Sequence, residues 1–117
     1  MRRDRRAFLW DVREAVGNIE TYITGLDYET FATHSLIRSA VERQFEIIGE
    51  ALNQLSKIAP ELASQIPDLP RIVAFRNILI HGYATLDYHT VWRVIHESLP
   101  ALRRVVDRML HENSSRT

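Results

Sequence analysis

Arg76, Asn77, His81 and Tyr83 punctuate an otherwise apolar run, Arg76-Asn77-Ile78-Leu79-Ile80-His81-Gly82-Tyr83, and together they could work on a phosphodiester. Arginine carries a planar fork of donors that matches phosphate oxygens in pairs. Histidine takes or gives a proton near neutral pH. RNA brings its own nucleophile, the 2′-hydroxyl. A site that cleaves it needs no metal if it supplies an acid or base and stabilises the phosphate charge. One histidine and one arginine meet that minimum. A plainer reading stands beside it: an arginine and a histidine five apart on a helix are often just surface or satisfied core residues.

Spacing constrains this chemistry. On a continuous helix Asn77 and His81, four apart, share a face, whereas Arg76 and His81 differ by about 140° at roughly 100° per residue. Bringing Arg76 onto His81 therefore needs the helix to loosen at Gly82, or two copies of the segment to meet. A histidine at a helix C-terminus sits at the negative end of the dipole, which favours imidazolium and proton donation.

The elements that must position the segment all read as helices, because apolar residues recur at three and four and no strand-like alternation persists. The first runs from Asp4 to Thr24, with Phe8, Val12, Ala15, Val16, Ile19, Tyr22 and Ile23 repeating and Gly25 ending it. Asp27 can cap a second, long helix from Tyr28 to Ile58. One stripe on it is Ile37, Val41, Phe45, Ile48, Leu52 and Leu55, and a second includes Leu36, Ala40, Ile47 and Ala51. Two stripes imply burial from two directions, by the chain itself and by a second subunit. Pro60 to Pro70 reads as a connector with one short turn of helix near Glu61 to Gln65. A further helix fits Arg71 to His81, stopped by Gly82. Asp87 can cap the last, whose face is Val91, Ile95, Leu99, Leu102, Val106 and Met109, with Pro100 kinking it one turn earlier. The tail from Asn113 is polar and expected to fray. The expected fold is all-α: a bundle of four to five antiparallel helices in a single domain, residues 1–112, with a polar tail at 113–117.

Composition narrows the function classes. At 117 residues the chain has the length of one domain. It has no cysteine, which removes disulfides, thiolate chemistry and cysteine zinc sites. Its longest stretch without Asp, Glu, Lys or Arg, Asn77 to Leu86, falls far short of the roughly 20 apolar residues that span a bilayer. The basic N-terminus has no apolar run after it, so no secretory signal is expected and a cytoplasmic location is. Net charge is zero, which by itself does not advertise nucleic-acid binding. Yet every basic residue except Lys57 is an arginine, a skew that suits phosphate recognition and that a GC-rich genome would also produce.

Arg76-Asn77-x-x-x-His81-x-Tyr83 resembles the R-x-x-x-x-H motif of HEPN ribonucleases, in the R-N-x-x-x-H-x-Y form typical of HepT-like toxins. Leu9-Trp10-Asp11-Val12-Arg13-Glu14-Ala15 looks like that family's first helix. Arg43-Gln44-Phe45-Glu46-Ile47-Ile48-Gly49-Glu50-Ala51 looks like its I-I-G-E-A helix. Val91-Trp92 followed by Leu99-Pro100 resembles its last. The similarity runs collinearly from about Leu9 to Leu102, with Leu69 where an aromatic is common and Ala74 where glycine is common. The resemblance implies a helical homodimer whose active-site segments face each other across the interface. It implies a metal-independent endoribonuclease toxin without cofactor, with tRNA among possible substrates. It also implies a partner, a minimal nucleotidyltransferase antitoxin that adenylylates the motif tyrosine. Carried over residue by residue, Arg76 stabilises phosphate charge, Asn77 orients or polarises, His81 is the acid/base and Tyr83 is the modification target.

Other residues carry weaker signals. Arg43 and Glu50, seven apart on one face, could pair or orient Arg76, although a plain ion pair is the simpler reading. His34, His89, His96 and His111 lack metal-ligand spacing, so no metal site is expected. Arg2, Arg3, Arg5 and Arg6 could contact RNA phosphates or form a solvated arm. Trp10, Tyr88 and Trp92 read as core rather than stacking platforms. The competing function is a non-catalytic helical partner subunit of a nucleotidyltransferase; a plain dimeric scaffold would leave the motif without a use.

Overall fold

Asp4 and Asp27 show how the chain starts its helices: each carboxylate accepts the backbone N–H three residues on, from Ala7 at 3.0 Å and Thr30 at 2.8 Å. The bond from Thr30 holds the Asp27 carboxyl below the usual carboxylate range, so its capping strength is present above that range and is lost as pH falls through the lowered value. The structure, a computed structural model, describes residues 4–81 and 87–114, and only the backbone of 81, 113 and 114. Among the described residues it is all-α and has no strand. The helices are α1 (Arg5–Ile23), α2 (Tyr28–Thr33), α3 (Ser35–Ile58), α4 (Pro60–Ala63), α5 (Leu69–His81), α6 (Tyr88–Glu97) and α7 (Leu99–Ser114).

The first helix ends where expected, with Gly25 in the left-handed conformation (φ 79°) that a side chain would resist. The long second helix does not hold as one piece. It breaks at His34, whose extended backbone separates α2 from α3 and whose Nδ1 accepts from the Ile37 N–H at 3.3 Å. Arg38 donates to the Ala32 carbonyl that the break leaves free. The cause is tertiary. On a straight helix Phe31 would point roughly 70° away from the Val41–Leu52 stripe. The break lets Phe31 bury against Trp92 of α6, ring centroids 5.1 Å apart, while Tyr28 stacks on His89 at 3.9 Å.

The last helix is likewise two. Pro100 has no N–H for the carbonyl four residues back, and the chain turns at buried Ser98 between α6 and α7. Pro70 lies in the first turn of α5 rather than in the connector, a position that tolerates proline, so α5 begins at Leu69 instead of Arg71. Residue 113, expected in a frayed tail, is still helical in α7. With the break at His34, the kink before Pro100 grown into a full break, and the expected short turn present as α4, the described residues form seven helices where four or five were expected.

α3 is the central rod. It packs along α1 on one side and α5 on the other, and α7 closes over α1. The molecule measures 46 × 29 × 25 Å. Val41, Phe45, Ile48, Leu52 and Leu55 of α3 meet Leu9, Val12, Val16 and Ile19 of α1, all essentially without solvent contact. Burying each such side chain is worth about 1.5–3 kcal/mol. Phe45 meets Phe75 of α5 edge to face at 5.1 Å, which fixes the approach of α5 to α3. The second stripe is covered only in part: Ala51 is buried, whereas Leu36 is 77% exposed.

Candidate active site

α5 turns Ile72, Phe75 and Leu79 into the core, which places Arg76 beside them against the neighbouring helix and leaves Asn77 in solvent. Arg76 lies across α3. Its Nη2 meets Glu50 Oε2 at 3.0 Å, and its Nη1 donates to Asn77 Oδ1 at 3.2 Å. Its Nε is buried with no hydrogen-bond partner. Glu50 in turn accepts from Gln54 Nε2 at 3.0 Å through its other oxygen. The Glu50 side chain is about half exposed, so solvent screens the pair and its worth to stability is about 0–1 kcal/mol. Orientation of the guanidinium, not stability, is what this contact supplies.

The stem of Arg76 passes over Gly49. A Cβ built on Gly49 would stand 2.4 Å from Arg76 Cβ, 2.7 Å from Cγ and 3.1 Å from Cδ, closer than side chains approach. Beside the arginine opens a cleft of about 270 Å³ between α1, α3 and α5. Phe8, Ile47, Ala51 and Ile80 form its apolar wall, and Asp11, Arg43, Glu46, Glu50 and Arg76 supply its charged lining.

Arg43 does not pair with Glu50, despite sharing a face with it. It bridges to Glu46, one turn away, at 3.2 Å, because Arg76 reaches in from α5 and takes Glu50 first. The Arg43 side chain stays 68% exposed at the mouth of the cleft. Arg43, Glu50, Arg76 and Asn77 thus gather at one place. The backbone of His81 closes α5, which is helical without interruption from Arg76 to His81. The His81 ring, Gly82 and Tyr83 lie outside the described residues.

Trp10 corrects the expectation of a core position: it is 46% exposed, with the Arg13 guanidinium 5.2 Å from its ring centroid. Trp92 and Tyr88 do pack on the core, Tyr88 under Arg38 at 4.4 Å. Of the N-terminal arginines, Arg5 approaches Glu61 at 3.9 Å, and Arg2 and Arg3 lie outside the described residues. Sequence reasoning missed Gly49 and the cleft wall. Gly49 was visible within I-I-G-E-A, but only the approach of α5 reveals what its missing side chain makes room for.

The fold and the R-x-x-x-x-H spacing on it define a class, the helical endoribonucleases of HEPN type. The family described as Ribonuclease HepT-like matches residues 12–109, and the chain belongs to it. The chain is similar to two Methanocaldococcus jannaschii proteins whose RNase activity is itself inferred. One is 34% identical over 108 residues, covering 91% of this chain and 96% of that one. The other is 32% identical over 111 residues, covering 95% of this chain and 91% of its own length. A ribonuclease HepT of Thermococcus cleftensis, also named by inference, is 29% identical over 109 residues, 93% of this chain and 98% of its own. No solved structure matches the chain. No helix among the described residues is long and apolar enough to cross a membrane.

Proposed function

We propose that the chain is the toxin of a HepT-type toxin–antitoxin pair, a metal-independent endoribonuclease in which Arg76, Asn77 and His81 act on a phosphodiester of RNA. The observation that carries this reading is Arg76 itself, held at the cleft by Glu50 and Asn77 on the helix that ends in His81. The 2′-oxygen attacks phosphorus, the bond from phosphorus to the 5′-oxygen breaks, and the proton leaving the 2′-hydroxyl is made good on the departing 5′-oxygen. His81 is the group that takes or gives that proton, and Arg76 stabilises the charge gathering on the phosphate. Asn77 and Glu50 orient the guanidinium, and exposed Arg43 draws the RNA backbone to the cleft mouth. Because α5 stays helical, Arg76 and His81 of one copy remain about 140° apart around its axis. That separation supports a homodimer in which two α5 segments meet.

The test is cleavage of a tRNA pool in EDTA followed by analysis of the new ends. Products ending in 2′,3′-cyclic phosphate are expected with chelator present. Activity that disappears with EDTA and returns with magnesium would overturn the mechanism.

Tyr83 is proposed as the off-switch, adenylylated by a minimal nucleotidyltransferase. AMP there would bring a phosphate that competes for Arg76 by the same forked bonding that serves the substrate. Incubated with such an enzyme and ATP, the protein should gain one AMP in intact mass and lose RNA cleavage, whereas Tyr83→Phe should gain none and keep cleaving. AMP mass that persists on the Phe variant would refute the assignment.

A further inference from the structure

We infer that Gly49 is a positioning residue for Arg76, its missing side chain forming the seat from which the guanidinium is presented at the cleft. This rests on the reading of Arg76 as the phosphate-stabilising group, and one arm of the test below is independent of it.

A mid-helix glycine is normally a weakness, because alanine is the better helix former and glycine loses more backbone freedom on folding. Gly49 sits in the middle of α3 with an ordinary backbone and no turn to explain it. What explains it is Arg76. The atoms that a Cβ would strike at 2.4 and 2.7 Å are the root of the arginine, Cβ and Cγ, not its flexible end. The root cannot swing aside without moving α5. That movement is opposed by Phe75, packed on Phe45 at 5.1 Å, and by buried Ile72 and Leu79. Gly49 therefore fixes where the side chain leaves α5, and Glu50, the next residue on α3, fixes where it ends at 3.0 Å. The two constraints are one residue apart on α3 and act on opposite ends of one side chain. The unpartnered, buried Nε is what such a seat produces, since a freely placed arginine would turn that N–H to water.

The experiment is Gly49→Ala in the full chain, alone and with Arg76→Ala, read by RNA-cleavage kinetics and by the Nε–Hε resonance of Arg76 in an isotope-labelled sample. Expected for G49A is a helical, folded protein whose kcat falls by on the order of 10²-fold with KM little changed, as misplacing a catalytic group by about 1 Å does. The double variant should be no slower than R76A alone. The Arg76 Nε–H, protected from exchange in the parent, should exchange like a solvent-exposed arginine in G49A. A residue that only packs would lower Tm, leave kcat of the folded protein intact and add its loss to that of R76A, and that result overturns the inference. So does an unmoved Nε–H signal. If the parent shows no RNase activity yet G49A still releases the Nε–H, the ribonuclease reading fails and the seat stands. Should G49A not fold, Glu50→Gln, which adds no volume, tests the other end: a shifted Nε–H supports the two-point hold and an unchanged one refutes it.

Discussion

Replacing His81 by alanine is expected to slow RNA cleavage by about 10²–10⁴-fold, the range for losing a positioned acid or base, while leaving the helices intact. The fold should survive because burial on α5 is carried by Ile72, Phe75 and Leu79, which the change does not touch. His81 is the last residue of α5, so little helix follows it to be unsettled. Single-turnover rates on a short RNA, beside circular dichroism and a melting curve, separate lost chemistry from lost structure. The pH–rate profile adds a sharper check, since the limb that reports the imidazole should vanish in the variant. An H81A protein that cleaves at the parent rate would remove His81 from the mechanism.

The second large effect is expected at Arg76. Arg76→Ala should reduce kcat by roughly 10²–10³-fold, as removing one group that stabilises transition-state charge does. Arg76→Lys should recover only a small part of that loss. Lysine restores a positive charge but not the planar fork that now meets Glu50 and Asn77 with separate nitrogens. Stability should move far less than rate, because the ion pair is screened and worth about 0–1 kcal/mol. Comparing kcat well below the melting temperature of each variant decides the matter. Losses under tenfold in R76A, or a lysine variant as fast as the parent, would show that no phosphate charge depends on this arginine.

The parts of the molecule that depend on local rules were readable from residues alone. The period and Gly25 marked α1, Asp27 and Asp87 marked helix starts, and the expected face Val91, Ile95, Leu99, Leu102, Val106 and Met109 enters the core. Pro100 marked the turn at Ser98, although a full break stands where a kink was expected, whereas the break at His34 carries no glycine or proline and exists to satisfy packing elsewhere. Phe31 is the reason for the break at His34: its burial against Trp92 overrides a sequence that would happily continue as helix. Trp10 went the other way, large and apolar yet on the outer side of α1. In the site, spacing put Arg43 and Glu50 on one face and offered two uses, pairing with each other or orienting Arg76, but could not decide that Glu50 alone would meet Arg76. That contact joins residues 26 apart in the chain and the seat at Gly49 joins residues 27 apart, which is why neither shows in any periodicity.

The closing of α7 over α1 has a consequence for how the protein is made. Glu20 and Arg13 of α1 are bridged by Arg103 and Asp107 of α7, and Val16 and Ile19 share one core with Leu102, Val106 and Met109. On the ribosome the first helix therefore emerges with a flank that α7, made later, comes to cover. A chain interrupted after α6 already contains Gly49, Glu50, Arg76 and His81, yet it lacks α7, which shares one core with α1. Glu20 and Arg103 lie 83 positions apart, so α1 reaches its packed state only after most of the intervening chain has been made and α7 has docked.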